Sequence, residues 1–225
     1  MTTKTLLVVA PHPDDETLGC GGSLLRMAAE GVRLVWLIVT GMADNPAYDD
    51  AQRQARARTI RQVSDAYPFA QTIELGLPTA QLDNLPMGDI VHAVGKVVND
   101  VQPDYLWLPH GGDVHSDHRV VFDACAACSK WFRYPSIKQV MSYETLSETD
   151  AALPGSGRPL FQANYFIDIS VHLARKQAIM ALYESELGEF PFPRSRGALE
   201  AQARLRGAQS GYHAAEAFML LRGRQ

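Results

Sequence analysis

Residues 11 to 16, Pro11-His12-Pro13-Asp14-Asp15-Glu16, gather one imidazole and three carboxylates within six positions. Carboxylates that close repel one another, so such a cluster either spreads into water or surrounds a cation. The two prolines fix φ and remove two amide donors, which stiffens the turn. A second cluster, Asp113-Val114-His115-Ser116-Asp117-His118, sets two imidazoles three residues apart with aspartates on either side. That spacing lets both rings face one site from the first turn of a helix. Taken singly, each cluster has an ordinary explanation: a solvated acidic loop in which Asp14 or Asp15 caps the next helix, or a structural histidine. Taken together they offer the imidazole and carboxylate donors that suit zinc or another divalent transition ion. A catalytic zinc keeps about three protein ligands and lowers the pKa of its water to roughly 7. The groups left over then serve as base, acid and orienting partners, which is sufficient for amide hydrolysis. No serine or cysteine nucleophile motif competes.

Both clusters follow apolar runs, and the pattern of runs predicts how they are brought together. Residues 5 to 10 (TLLVVA) read as a strand covered on both faces and end at Pro11. A helix from Leu18 to Glu30, stopped by Gly31, precedes a second buried strand from Val32 to Thr40, which makes a βαβ unit with a right-handed crossover. Further along, helices are expected over 49–67, 87–101, 118–130, 171–186 and 197–210, with strands over 72–75, 104–108, 138–143 and 165–168. The alternation predicts a single-domain α/β fold spanning residues 1–225. It is Rossmann-like, an open and mostly parallel sheet with helices on both faces. Open sheets of this kind place ligands at the carboxyl ends of their strands, where both clusters fall. Three long loops, 41–48, 145–162 and 189–196, are expected to wall the pocket.

Several other signals weigh less. Gly19, Gly21 and Gly22 depart from the dinucleotide spacing and are better explained by close approach of a helix to the sheet. Cys125 and Cys128 form a CxxC inside an apolar helix, and Cys20 lies beside the first cluster; all three read as small buried residues. Arg53, Arg56, Arg58 and Arg61 read as a solvated face. Arg194, in the proline-rich segment Phe190-Pro191-Phe192-Pro193-Arg194-Ser195, is the expected substrate-binding residue, since guanidinium suits a phosphate or sugar hydroxyls.

With 225 residues, 46% hydrophobic and 20% charged, the chain has the make-up of a globular domain with a well-buried core. Its formal charge of −4 supplies no basic field for nucleic acid or an anionic membrane. The odd count of 3 cysteines makes no disulfide framework. No apolar run is long enough for a membrane span. A cytoplasmic protein without integral membrane segment is expected, with a homo-oligomer left open.

The stretches Ala10 to Gly22 (APHPDDETLGCGG) and Asp113 to His118 (DVHSDH) resemble the two signature motifs of the PIG-L/LmbE-like N-acetyl sugar deacetylases. Weaker similarity touches Tyr143-Glu144, Pro193-Arg194-Ser195, Arg206-Gly207 and Glu216-Ala217-Phe218. The resemblance implies a metal-dependent hydrolase that removes the acetyl group from an amino sugar or its conjugate and releases acetate. Its matching positions make His12, Asp15 and His118 the metal ligands and Asp14 the general base for the attacking water. His115, protonated, would stabilise the oxyanion, while Asp113 and Asp117 would orient the imidazoles. Zn2+ is the expected ion, with Fe2+ as the alternative. Two other readings stay open: a metal-dependent amidase on a non-sugar substrate, and a non-catalytic carbohydrate-binding protein of the same fold.

Overall fold

A computed structural model describes residues 3–42, 48–153, 155 and 157–225. Among these described residues, seven strands join one sheet in the order β3-β2-β1-β4-β5-β7-β6. They are β1 (Thr5–Ala10), β2 (Arg33–Gly41), β3 (Gln71–Pro78), β4 (Tyr105–Leu108), β5 (Gln139–Tyr143), β6 (Tyr165–Asp168) and β7 (Ala215–Gly223). The first five run parallel, with Leu6 opposite both Leu34 and Tyr105. Strand β7 returns antiparallel between β5 and β6.

Alternation along the strands sorts the core into two layers, as period-two side chains must when both faces are covered. Leu6, Val8, Trp36, Ile38 and Trp107 face one layer with α1 (Asp15–Ala29), α2 (Asp50–Ala66), α5 (Leu173–Met180) and α6 (Arg196–Ser210). Leu7, Val9, Leu37 and Leu106 face the other, with α3 (Met87–Val101) and α4 (Ser116–Ala127). Each fully buried leucine or valine of this kind contributes about 1.5–3 kcal/mol. Cys20, Cys125 and Cys128 are buried and unpaired. Among the described residues no helix is long and apolar enough to cross a membrane.

The α/β class, the parallel order and most elements agree with the sequence expectation. Three differences bear on the site. Helix α1 begins at Asp15 rather than Leu18 and is broken at Cys20 (φ −143°, ψ 18°). The helix expected over 171–186 ends at Met180, and a 3-10 turn, Glu184–Glu186, follows. Strand β7 was not anticipated at all. Of the expected loops, 41–48 falls mostly outside the described residues, as do positions 154 and 156 of the second.

The glycines of α1 do bring it onto the sheet. A Cβ at Gly19 would lie 2.3 Å from Tyr143 Cδ2, and one at Gly22 would lie 2.8 Å from Ile169. The segment after the break is held by Glu216 of β7, whose carboxylate accepts from Gly22 N (2.9 Å) and Ser23 N (2.7 Å). Lys176 of α5 donates to Glu216 (2.6 Å) and to Leu18 O (2.9 Å), closing the clamp.

Candidate metal centre and active site

The topological switch point of the sheet lies between β1 and β4, whose following chains leave in opposite directions to α1 and to α4. A crevice must open there, and both clusters emerge into it. The turn after β1 is tied down by its own acids. His12 N donates to Asp15 Oδ2 (2.8 Å) and Asp14 N donates to Glu16 Oε2 (3.1 Å). Asp14 is held at φ 145°, a region that costs a non-glycine residue about 1–3 kcal/mol and persists only where its surroundings fix it. Those surroundings are the α1 amides of Thr17 and Leu18, which both donate to Asp14 O. Buried Glu16 supports them, accepting from Thr17 Oγ1 (2.6 Å) and Tyr183 OH (2.8 Å). Burial pushes the Glu16 carboxyl up to about 7.

Asp15 is the meeting point. Its Oδ2 lies 3.4 Å from His12 Nδ1 and 3.3 Å from His118 Nε2. Burial works against its charge, but His118 and then His12 hold the carboxyl far below the usual range. The far nitrogen of each ring is committed elsewhere. His12 Nε2 donates to Asp117 Oδ2 (3.0 Å), and His118 Nδ1 donates to Asp113 Oδ2 (2.8 Å). Asp117 is itself fixed by the amides of Ala80 and Leu82, and Asp113 by the Thr149 hydroxyl (2.6 Å). Carboxylate-backed imidazoles of this kind are what a metal ligand requires. Among the described residues, one donor atom from each of His12, Asp15 and His118 falls within 4.8 Å of the others, so the donor set fits a divalent ion.

His115 sits at the N-cap of α4, where its Nδ1 accepts from Asp117 N (3.1 Å). A backbone amide can only donate, so the neutral ring carries its proton on Nε2. Partial burial and the neighbouring His12 and His118 bring the ring down to about 4. With Nδ1 engaged by Asp117 N, Nε2 is the nitrogen of His115 that can present an N–H to an oxygen. The three rings cluster, with His12 and His115 centroids 4.6 Å apart.

Asp14 accepts from Arg194 Nη1 through its Oδ2. Burial, and then the adjacent Asp15, push its carboxyl up, while Arg194 Nη1 at 2.8 Å opposes them. Arg194 also donates to Ser147 Oγ (2.8 Å), Glu148 (3.2 Å) and Glu186 (3.3 Å), tying four chain segments together at the rim. Glu186 in turn accepts from Arg56 (2.7 Å), which donates also to Pro13 O. The solvated-face reading therefore fails for Arg56, whose side chain turns into the site. Its spacing from Arg53 and Ile60, three and four residues along α2, was the available signal. Glu148, Glu186 and Thr149 lie in loops and turns whose sequence carries no such signal. A cavity of about 390 Å3 runs from His12, Asp14 and His115 to α2 and the end of β3.

Known proteins resemble this chain in sequence and in fold. The sequence model of a family described as PIG-L, GlcNAc-PI de-N-acetylase, matches residues 7–129. An uncharacterized deacetylase, YaiS, from Escherichia coli (strain K12) is 27% identical over 157 residues, 67% of this chain and 79% of the relative. Diacetylchitobiose deacetylase of Thermococcus kodakarensis is 22% identical over 98% of this chain and 84% of its own. The solved N,N'-diacetylchitobiose deacetylase of Pyrococcus horikoshii superposes with a TM-score of 0.79 at 17% identity, covering 98% of this chain and 84% of that one, a likeness of fold.

Proposed function

Because the chain belongs to the PIG-L family of GlcNAc-PI de-N-acetylases, we propose that it is a metal-dependent hydrolase that removes the acetyl group from the nitrogen of an amino sugar. The observation that carries the reading is the convergence of His12, Asp15 and His118 donor atoms beside a buried, strained Asp14. Curated relatives named as deacetylases of N-acetylated sugars support the substrate class. His12, Asp15 and His118 would hold the ion, zinc or else ferrous iron. When bound, such an ion supplies Lewis-acid polarisation and a water of lowered pKa.

The chain's own residues do the rest. Asp14, raised by burial and by Asp15, takes a proton from the attacking water, and Arg194 keeps its carboxylate aimed into the cavity. His115 donates its Nε2–H to the carbonyl oxygen as negative charge gathers there. Asp113 and Asp117 hold the rings of His118 and His12 in place. As the carbon–nitrogen bond breaks, the proton held on Asp14 passes to the leaving amine, and acetate and the free amino sugar depart. Arg194 contacts sugar hydroxyls through the Nη2–H that Glu148 does not use. One domain suffices for all of this, and three buried free cysteines suit a reducing, cytoplasmic setting.

Acetate release over a panel of N-acetylated amino sugars and non-sugar acetamides tests the reading. Sugars alone should be hydrolysed. Asp14→Asn should keep its metal while kcat falls by about 10^2–10^4; unaltered turnover would remove Asp14 from the base position.

A further inference from the structure

The cavity beside His12 and Asp14 holds more charged groups than hydrolysis of an amide needs. Among the described residues, the carboxylates of Asp14, Glu74, Glu148 and Glu186 line it together with the guanidinium groups of Arg53, Arg56 and Arg194. Each of the three arginines already commits part of its guanidinium to protein acceptors. Arg194 directs Nε, Nη1 and Nη2 at Ser147, Asp14, Glu186 and Glu148. Arg56 divides its guanidinium between Pro13 O and Glu186. Arg53 donates to Met42 O (3.1 Å) and Asp50 (2.9 Å).

Arginine recognises a phosphate through parallel, charge-assisted N–H donors aimed at it. Here the charge of Arg56 and Arg194 is already balanced by Asp14, Glu148 and Glu186. An incoming phosphate would have to break a partly buried ion pair and then sit among the released carboxylates, which repel it. A hydroxyl needs neither change, since it donates to a carboxylate and accepts from a spare N–H. We infer that the cavity selects an N-acetylated glycoside without charge over one whose sugar is carried on a phosphate, and that Glu186, by neutralising Arg56 and Arg194 together, sets that preference. The inference rests on the deacetylase reading for the class of ligand.

The test is calorimetric binding of methyl N-acetylglucosaminide and of N-acetylglucosamine 1-phosphate to the full, zinc-loaded chain. Wild type should bind the neutral glycoside at least about tenfold more tightly. Glu186→Gln removes the one carboxylate charge that Arg56 and Arg194 share and should narrow that ratio by about tenfold, more at low salt. Equal or tighter binding of the phosphate by wild type, binding of neither ligand, or an unmoved ratio in a folded Glu186→Gln would overturn the inference. Should the variant not fold, the wild-type ratio decides alone. Acetate measured in the same solutions separates the two claims. A neutral-ligand preference without acetate supports the selectivity and counts against the deacetylase reading.

Discussion

His12 Nδ1 and His118 Nε2 both meet Asp15 Oδ2, while their other nitrogens are bonded to Asp117 and Asp113. Burial disfavours charge on either ring. For His12 the hydrogen bonds to Asp117 and Asp15 outweigh it and raise the ring to about 9; for His118 the Asp15 charge and the bond to Asp113 raise it to about 10. Without metal both rings are therefore protonated near neutral pH. Their stabilisation of the metal-free fold is complete below the ordinary imidazole value of 6.5 and disappears as pH rises through about 9 to 10. Metal must displace the protons facing Asp15, so affinity falls as pH is lowered. Zinc titration of the metal-free protein near neutral pH, in buffers of different ionisation enthalpy, should register release of about two protons per ion; release of none would contradict the ligand geometry. Arg194 makes a second residue-level prediction. A lysine cannot reproduce its four contacts, so Arg194→Lys should retain metal and lose about 10–100-fold in kcat/KM, read by steady-state kinetics. Full activity would mean that Arg194 only closes the rim.

At the level of elements, the turn after β1 is stiff because α1 is broken and each half is held separately. Asp14 O receives the first amides, and Glu216 on β7 receives those of Gly22 and Ser23. Glu216 is 4% and Lys176 3% exposed, so removing one partner strands a buried charge. Glu216→Ala should cost about 3–5 kcal/mol in chemical denaturation, whereas a loss below about 1 kcal/mol would show the clamp to be incidental. Strand β7 also marks where sequence reading stopped. Its residues AEAFMLLRG are mostly good helix formers, and only pairing with β5 and β6 makes them a strand. Strands β1 and β2 were legible because continuous buried runs such as RLVWLIVTG have no surface helix alternative. The start of α1 was misplaced because Asp15, Glu16 and Thr17 are buried polar residues, invisible to a hydrophobic pattern.

For the molecule as a whole, sheet order does what neither motif can do alone. Residues about a hundred positions apart, His12 and Asp117, touch because β1 lies beside β4 and both chains leave the sheet at the same edge. The metal-binding candidates were legible because each cluster is contiguous in sequence and follows a recognisable strand. Arg56, Glu148 and Glu186 were not, since they meet only after α2, the loop after β5 and the turn after α5 have been packed together. The central claim is that these two stretches jointly hold one divalent ion, and elemental analysis of purified protein tests it most directly. Wild type should carry about one ion per chain, and His12→Ala, Asp15→Ala and His118→Ala, each confirmed as folded, should bind at least about 10–100-fold more weakly. Full metal content in a folded His118→Ala, or a wild-type chain that takes up no ion when offered zinc and iron, would contradict the account.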